Sequence, residues 1–448
     1  MFNTYTSLTL IIFFLTVLFI IWKPFGLNET IPTTIGAVLL IILGIVPFTD
    51  VSNILKLVSG PSFTILSTIV MSLVLESVGL FKWVAINILR RANGSGHKLF
   101  LYVILLCYFT TLFFNNDGSI LITTPIIISI VKHLKLKPHQ QIPYLLSGAL
   151  VATASSAPIA VSNIANLIAL KIVGLDLNTY VAMLFIPSMI GITTMAGLLY
   201  VYYRNQLPKK IALITSDSPI FGQKRHPLDS KQPSQLLDEK LFKWAVSLVV
   251  LIRCGYFILT PIGVPIEWIS IVGAVLLLLL RWIRQKIGIK DVIKRTPWHI
   301  LLFAFSMYVI VFGLQQAGLT EFLIHWLAPM VKSNLLNAIF IMGLLLSVLS
   351  NLVNNLPSVM IGTLALTHMN LSQHSIQIAY LANIVGSDIG SLLTPIGTLA
   401  SLIWMYILKS NHIKFTWGQY IKVTLFIIPI SLFMTLITFY FWIQWLFI

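Results

Sequence analysis

The chain has 448 residues, 57% of them hydrophobic and only 9% charged. A soluble domain carries about 25% charge, so this composition excludes soluble enzymes and nucleic-acid binders and describes an all-α polytopic membrane protein. The net charge of +16, from 29 basic and 13 acidic residues, becomes a question of which membrane face holds the basic side chains, and calls for no nucleic-acid partner.

A helix crosses the hydrocarbon core in about 20 apolar residues. Lys23 is the first basic residue, so the opening stretch lacks the charged region of a cleavable signal and reads as a first span, 6–22. Spans at 29–48 and 62–80 follow, then a surface helix. The apolar region 98–132 is interrupted near its middle by Phe113-Phe114-Asn115-Asn116-Asp117-Gly118; a re-entrant hairpin is expected, with both ends on one side. Region 143–173, interrupted from Ser155 to Asn163 around Pro158, is expected to be a broken span. A long span at 179–203 ends the first half.

The only long polar stretch is 204–240. Beyond it come spans at 241–259, 265–284 and 298–315, a second surface helix, a second expected hairpin at 335–370, a second broken span at 376–409, and a last span at 423–447. The second hairpin turns at Asn351, then Asn354-Asn355-Leu356-Pro357, and the second broken span is interrupted from Asn383 to Pro395.

Placing 204–240 in the cytoplasm puts 25 of the 29 basic residues on that side, all but Lys56, Lys171, Arg253 and Lys332. This is the positive-inside asymmetry, and both termini then lie outside. The halves 1–203 and 241–448 share one order of elements in opposite orientation, with 204–240 as cytoplasmic linker. Two landmarks support a duplication. The Asn-Asn pairs are 239 positions apart, and Pro158-Ile159-Ala160 and Pro395-Ile396-Gly397 are 237 apart. The expected fold is therefore two inverted repeats, with about ten transmembrane helices, two of them broken, plus two re-entrant hairpins. That is a plan of secondary transporters.

Non-helical backbone at membrane depth survives only where protein buries it or a cavity borders it. Asn, Ser and Thr suit such breaks because they both donate and accept, and half-helix ends direct their dipoles into the space between. Isolated breaks are explained by helix packing; four of them, paired by symmetry, point to a substrate site. Its expected lining is Asn115, Asn116, Ser162, Asn163, Asn354, Asn355, Thr394 and Gly397. Ionising a carboxyl in hydrocarbon is costly, which makes Asp117 and Asp388, both at breaks, the expected proton-coupling residues. Glu76 lies near a span end and reads as interfacial. Arg253 lies deep in 241–259 and needs a partner or a water path; the sequence names neither. The histidines show no metal-ligand spacing, Cys107 and Cys254 support neither a disulfide framework nor a zinc site, and no phosphate-binding glycine loop is present. No metal or other cofactor is expected.

At these residues the chain resembles the ArsB-type arsenite/antimonite efflux permeases of the ion transporter superfamily. The likeness runs through Phe113–Ile126, Val161–Ile168, Pro297–Gly318, Asn354–Leu366 and Ala382–Trp404. The chain departs from the family's usual Ala at Asn115, from a common Asp at Thr153, and from Pro-Lys at Ser391-Leu392. The resemblance implies a plasma-membrane exporter of trivalent metalloid hydroxides, driven by proton antiport. Its partners would be the substrate, protons and the lipid bilayer; some members also associate with a cytoplasmic arsenite-stimulated ATPase. A sodium-coupled anion symporter and a sodium/proton antiporter of the same superfamily are the competing readings. A membrane scaffold would leave the polar breaks unexplained.

Overall fold

The computed structural model describes residues 4–22, 28–212 and 239–447. Lys23, Ser216, Ile448 and most of the 204–240 stretch lie outside the described residues. Every described element is helical. The first half contains α1 (Thr4–Trp22), α2 (Thr30–Ile42), α3 (Phe48–Val78), α4 (Leu80–Ala92), α5 (Gly96–Phe113), α6 (Asn116–His133), α7 (Pro138–Ala154), α8 (Ile164–Val173) and α9 (Leu177–Tyr203). The second contains α10 (Glu239–Leu259), α11 (Ile266–Gln285), α12 (Lys290–Arg295), α13 (His299–Gln316), α14 (Leu319–Ser333), α15 (Leu335–Val353), α16 (Asn355–Thr367), α17 (Gln373–Asp388), α18 (Leu399–Ser410) and α19 (Trp417–Leu446).

Among the described residues ten helices are long and apolar enough to cross a membrane. The number matches the sequence expectation, but the membership does not. The expected span at 29–48 is the 13-residue α2, about 20 Å long against a core of about 30 Å. It stops because Gly44 turns the chain at φ +68 and Pro47 is extended before α3. The chain from 48 to 61 joins α3 instead, which runs for 31 residues through Pro61. The first hairpin arms, α5 and α15, have 18 and 19 residues and count among the ten. Arm length alone therefore does not keep the hairpin tips inside the membrane; their burial and partners, described below, must do so.

The helices pack reciprocally. α2 lies on α13 as α11 lies on α3; α6 lies on α18 as α16 lies on α8; α5 lies on α7 as α15 lies on α17; and the last spans, α9 and α19, pair with each other. The pattern accords with a two-fold relation between the halves, and in it each hairpin's second arm rests on the other half's broken span.

Ties between segments also sort into two ends. At one end Arg295 Nη2 meets Glu76 Oε2 at 2.6 Å, Lys132 Nζ donates to the Asn411 carbonyl at 3.3 Å, and the Ile211 amide donates to the Gly94 carbonyl at 2.8 Å. At the other, Lys171 Nζ donates to the Lys56 carbonyl at 3.2 Å and Gln373 Nε2 to the Val173 carbonyl at 2.7 Å. Lys56 and Lys171, two of the four basic residues outside the charge-rich set, thus sit together.

α15 and α17 approach until backbone meets backbone. A Cβ on Gly386 would collide with the Gly343 carbonyl oxygen and lie 2.9 Å from its carbon. Gly197 on α9 has nothing within 4 Å of its would-be Cβ. Gly386→Val should therefore lower the thermal midpoint in detergent, by the overpacking cost of about 1–3 kcal/mol or more, while Gly197→Ala leaves it nearly unchanged. Equal midpoints for the two variants would contradict this packing.

Candidate functional site

The four interruptions fall near the expected places but are shorter at the hairpins and shifted in the second broken span. In the first hairpin only Phe114 and Asn115 leave the helix; Asp117 and Gly118 already belong to the first turn of α6. In the second, α15 continues through Asn351, and only Asn354 separates it from α16. Asn383, expected at a break, lies inside α17, and the interruption runs from Ile389 to Thr398. Helix here continues wherever its own hydrogen bonds can be made, and polar residues flanking a break need not belong to it.

Asp388 is the best-connected of the expected site residues. It is the last residue of α17 and 1% exposed. A carboxylate at a helix C-terminus faces the negative end of the dipole, so it needs donors from elsewhere. They come from the other half. Ser156 Oγ donates to Oδ2 at 2.8 Å, Asn166 Nδ2 to Oδ2 at 2.7 Å, and Asn163 Nδ2 to Oδ1 at 2.9 Å. Asn163 is held in turn because its Oδ1 caps α8, accepting from the Ala165 amide at 3.0 Å. Tyr380 Oη donates to the Asn166 carbonyl at 2.9 Å, and Tyr180 Oη to the Ala157 carbonyl at 2.7 Å. Both broken spans thus meet at one carboxylate. Thr153, in the last turn of α7, returns its hydroxyl to the Ala149 carbonyl of its own helix.

The second hairpin is bound to the second broken span. Asn351 Nδ2 donates to the Gly390 carbonyl at 2.8 Å, and Asn351 Oδ1 accepts from the Thr394 amide at 2.7 Å and the Thr394 hydroxyl at 3.0 Å. Asn354 Nδ2 donates to the Ile396 carbonyl at 3.0 Å. Asn354 has φ +79 and ψ 157, a region nearly reserved for glycine that costs on the order of 1–3 kcal/mol; its side-chain bond is what offsets the strain. Gly397 has to be glycine, since a Cβ would collide with the Ser391 carbonyl and stand 3.0 Å from Asn351 Oδ1.

The first hairpin tip is held differently. Its partner is Arg253, the cation whose role the sequence left open. Arg253 is 8% exposed on α10, and its Nη2 donates to the Phe114 carbonyl at 3.0 Å, closing the C-terminal end of α5. Its guanidinium lies 5.2 Å from the centre of the Tyr256 ring, and Tyr256 Oη is fixed by Ser270 Oγ at 2.8 Å. Asn115 is extended, and its amide lies over Gly118, where a Cβ would collide with it. Asn116 Oδ1 accepts from the Asp117 amide at 2.8 Å. The Asp117 carboxyl is half-buried, lies within Coulombic reach of Asp388 and Glu29, and has no hydrogen bond among the described residues. Glu29 itself is buried at the start of α2, a position that hydropathy counting missed because it adjoins a span end.

The structure therefore joins Asp388, Ser156, Asn163 and Asn166 in one network and Asn351, Asn354, Thr394 and Gly397 in another. Among the described residues no hydrogen bond links Asn115 or Asn116 to Asn354 or Asn355. Asn115 Oδ1, Ser162 Oγ, Asn166 Oδ1 and Asn354 Oδ1 are buried polar atoms without a protein partner. Ser156 and Asn166 were not singled out in the sequence, since nothing local distinguishes a serine or asparagine that reaches across the repeats.

A family model described as arsenical pump membrane protein, ArsB, matches residues 8–443. The chain is 48% identical over 441 residues to a Bacillus subtilis protein provisionally named an arsenical pump membrane protein, covering 97% of this chain and 99% of that one. It is 31% identical over 427 residues to the arsenical pump membrane protein of Escherichia coli K12, covering 95% and 96%. The crystal structure of the Alcanivorax borkumensis YdaH transporter, described as having an unusual topology, aligns with a TM-score of 0.56 at 13% identity over 89% of this chain and 88% of that one, a likeness of fold.

Removing one donor from Asp388 leaves a buried charge short of a bond, at a cost of about 1.5–3 kcal/mol for a hydrogen bond to a charged group. Asn166→Ala should lower the thermal midpoint accordingly. Asp388→Asn should lower it too, because its amide nitrogen must face at least one of the three donors. Midpoints unchanged in both variants would refute the network.

Proposed function

The chain belongs to the arsenical pump membrane protein family, and we propose that it exports arsenite and antimonite, as trivalent hydroxides, in exchange for protons. It is a membrane transport protein and not an enzyme. The observation that carries the proposal is the Asp388 carboxylate, shared between the two broken spans and bonded by two amide donors and by the Ser156 hydroxyl, which also reaches the Thr153 carbonyl. Three donors suit an ionised carboxylate. A proton arriving on Oδ1 adds a donor where Asn163 already donates, and so loosens the residue that caps α8. Proton uptake at Asp388 is thereby coupled to the end of a half-helix at the centre of the molecule. Asp117, unpaired at the first hairpin, is the second proposed proton carrier.

The substrate reading rests on hydrogen-bond chemistry. Metalloid trihydroxides are uncharged near neutral pH and rich in donors and acceptors. Asn115, Asn116, Ser162, Asn163, Asn354, Asn355, Thr394 and Gly397 are the proposed lining, and several present buried polar atoms with no protein partner. Thiolate capture needs clustered sulfur, whereas Cys107 is buried in α5 and Cys254 is exposed on α10. We assign the charge-rich end, with 204–240, to the cytoplasm of the cell membrane and both termini to the outside. An arsenite-stimulated ATPase, if used, would dock on that basic face.

Arsenite uptake into everted vesicles tests the reading, with proton and sodium gradients imposed separately. Uptake should follow the proton gradient; uptake driven by sodium alone would overturn the coupling. Asp388→Asn should abolish gradient-driven uptake in protein that still inserts, and Asp117→Asn should abolish or strongly weaken it. The Cys107→Ser, Cys254→Ser double variant should still export metalloid, and selective loss of metalloid transport would reinstate thiol coordination. Asn355→Ala should weaken apparent affinity by about 1–3 kcal/mol if a substrate group is left unpaired. Single cysteines at Ser216 and near Ile448 should be labelled from opposite sides of the membrane; labelling from one side would refute the assigned topology.

A further inference from the structure

A cavity of about 340 Å³ lies between α4, α5 and α10, with the end of α3 at its edge, and almost all of its wall is apolar. On α4 the wall is the stripe Phe81, Val84 and Ile88; on α5 it is Tyr102, Leu105 and Phe109. Its inner end is Phe113-Phe114, the first hairpin tip, whose carbonyl takes the Arg253 bond. Leu105, Phe109 and Val250 are exposed at the mouth, so the cavity opens on a surface that faces hydrocarbon.

Both apolar stripes end in a cation. Residues three or four apart share a helix face, so Arg91 continues the stripe 81, 84, 88, and Lys98 precedes the stripe 102, 105, 109 by one turn. The turn between the two helices is also where the chain after α9 returns, because the Ile211 amide donates to the Gly94 carbonyl at 2.8 Å. That bond brings Lys210 to the same turn. Arg91, Lys98 and Lys210 are all exposed, and no acidic residue occurs in 77–116 or 204–212. The whole is an apolar channel whose rim carries a positive cluster with no ion pair to Arg91, Lys98 or Lys210 among the described residues.

We propose that this cavity binds one anionic membrane phospholipid, its phosphate against Arg91, Lys98 and Lys210 and an acyl chain running inward to Phe113-Phe114. Charge complementarity selects the headgroup, and burial of methylenes in the channel holds the chain. The second hairpin has Asn351 and Asn354 to bind its tip to the neighbouring break. The first has Arg253 on one side and this cavity on the other, so the lipid chain supports the tip that lacks side-chain bonds of its own to a broken span.

The test is the thermal midpoint of the purified full chain in detergent, titrated with phosphatidylglycerol, phosphatidylcholine or inorganic phosphate. Phosphatidylglycerol should raise the midpoint at the lowest lipid concentration, phosphatidylcholine only weakly, and inorganic phosphate not at all. Each neutralised cation should weaken phosphatidylglycerol binding about fivefold, so the Arg91→Gln, Lys98→Gln, Lys210→Gln variant should bind roughly a hundredfold more weakly. These side chains are on the surface, so that variant keeps its fold. Val84→Phe with Val249→Phe, the second on the α10 wall of the cavity, fills the cavity and keeps the cations, and should lose the shift as well. Equal stabilisation by the two lipids, a full shift with inorganic phosphate, or a full shift in either variant would overturn the proposal.

Discussion

Interrupting a helix at membrane depth frees backbone groups that hydrocarbon cannot satisfy, and this chain interrupts its helices four times. Each interruption is closed by a side chain delivered from another segment. Tyr180 donates to the first broken span at Ala157, and Thr424 of α19 donates to the second at Leu393. Asn351 and Asn354 close the second hairpin against the second break, and Arg253 closes the first. Remove these partners and neither hairpin tip has a reason to stay within the protein.

The two halves solve one problem with different chemistry. The second hairpin uses neutral amides three residues apart, one of them in a strained conformation. The first uses a buried guanidinium on a long span, and α1, the corresponding helix of the first half, carries no charged residue. A neutral amide pair fixes a tip to its own repeat. A guanidinium bonded to a carbonyl ties the tip to α10 and leaves Nε and Nη1 without a protein partner. The halves are thus alike in their packing and unlike in the charge they bring to the centre.

The bonds of Asp388 are structural, and in the proposed proton-carrier role the same bonds would serve coupling. Its donors all belong to the other repeat, so its ionisation state is felt where the repeats meet. The same feature makes it a poor candidate for a silent Asn substitution, because the side chain that would carry the proton is also what holds α8 and α17 together.

Composition and hydropathy were enough to establish a helical membrane protein, because 9% charge cannot cover a soluble surface. The paired Asn-Asn and Pro landmarks pointed to two related halves, since an internal duplication leaves its offset in the chain, and the reciprocal helix pairings accord with that reading. Local signals also placed the interruptions near Asn115, Pro158, Asn354 and Pro395, where helix cannot continue or polar residues gather. Other features depended on which segments come together. Hydropathy could not see that Gly44 and Pro47 shorten α2 and lengthen α3, since 35–48 has no polar side chain to mark the turn. It could not find the partner of Arg253, a backbone carbonyl 139 residues away, because any residue type can supply a carbonyl. Nor could it find Ser156 and Asn166, which matter only because packing of the two repeats carries them across more than 220 residues to the same carboxylate. A sequence records what each residue is able to bond; only the tertiary structure decides which of them are brought within 3 Å.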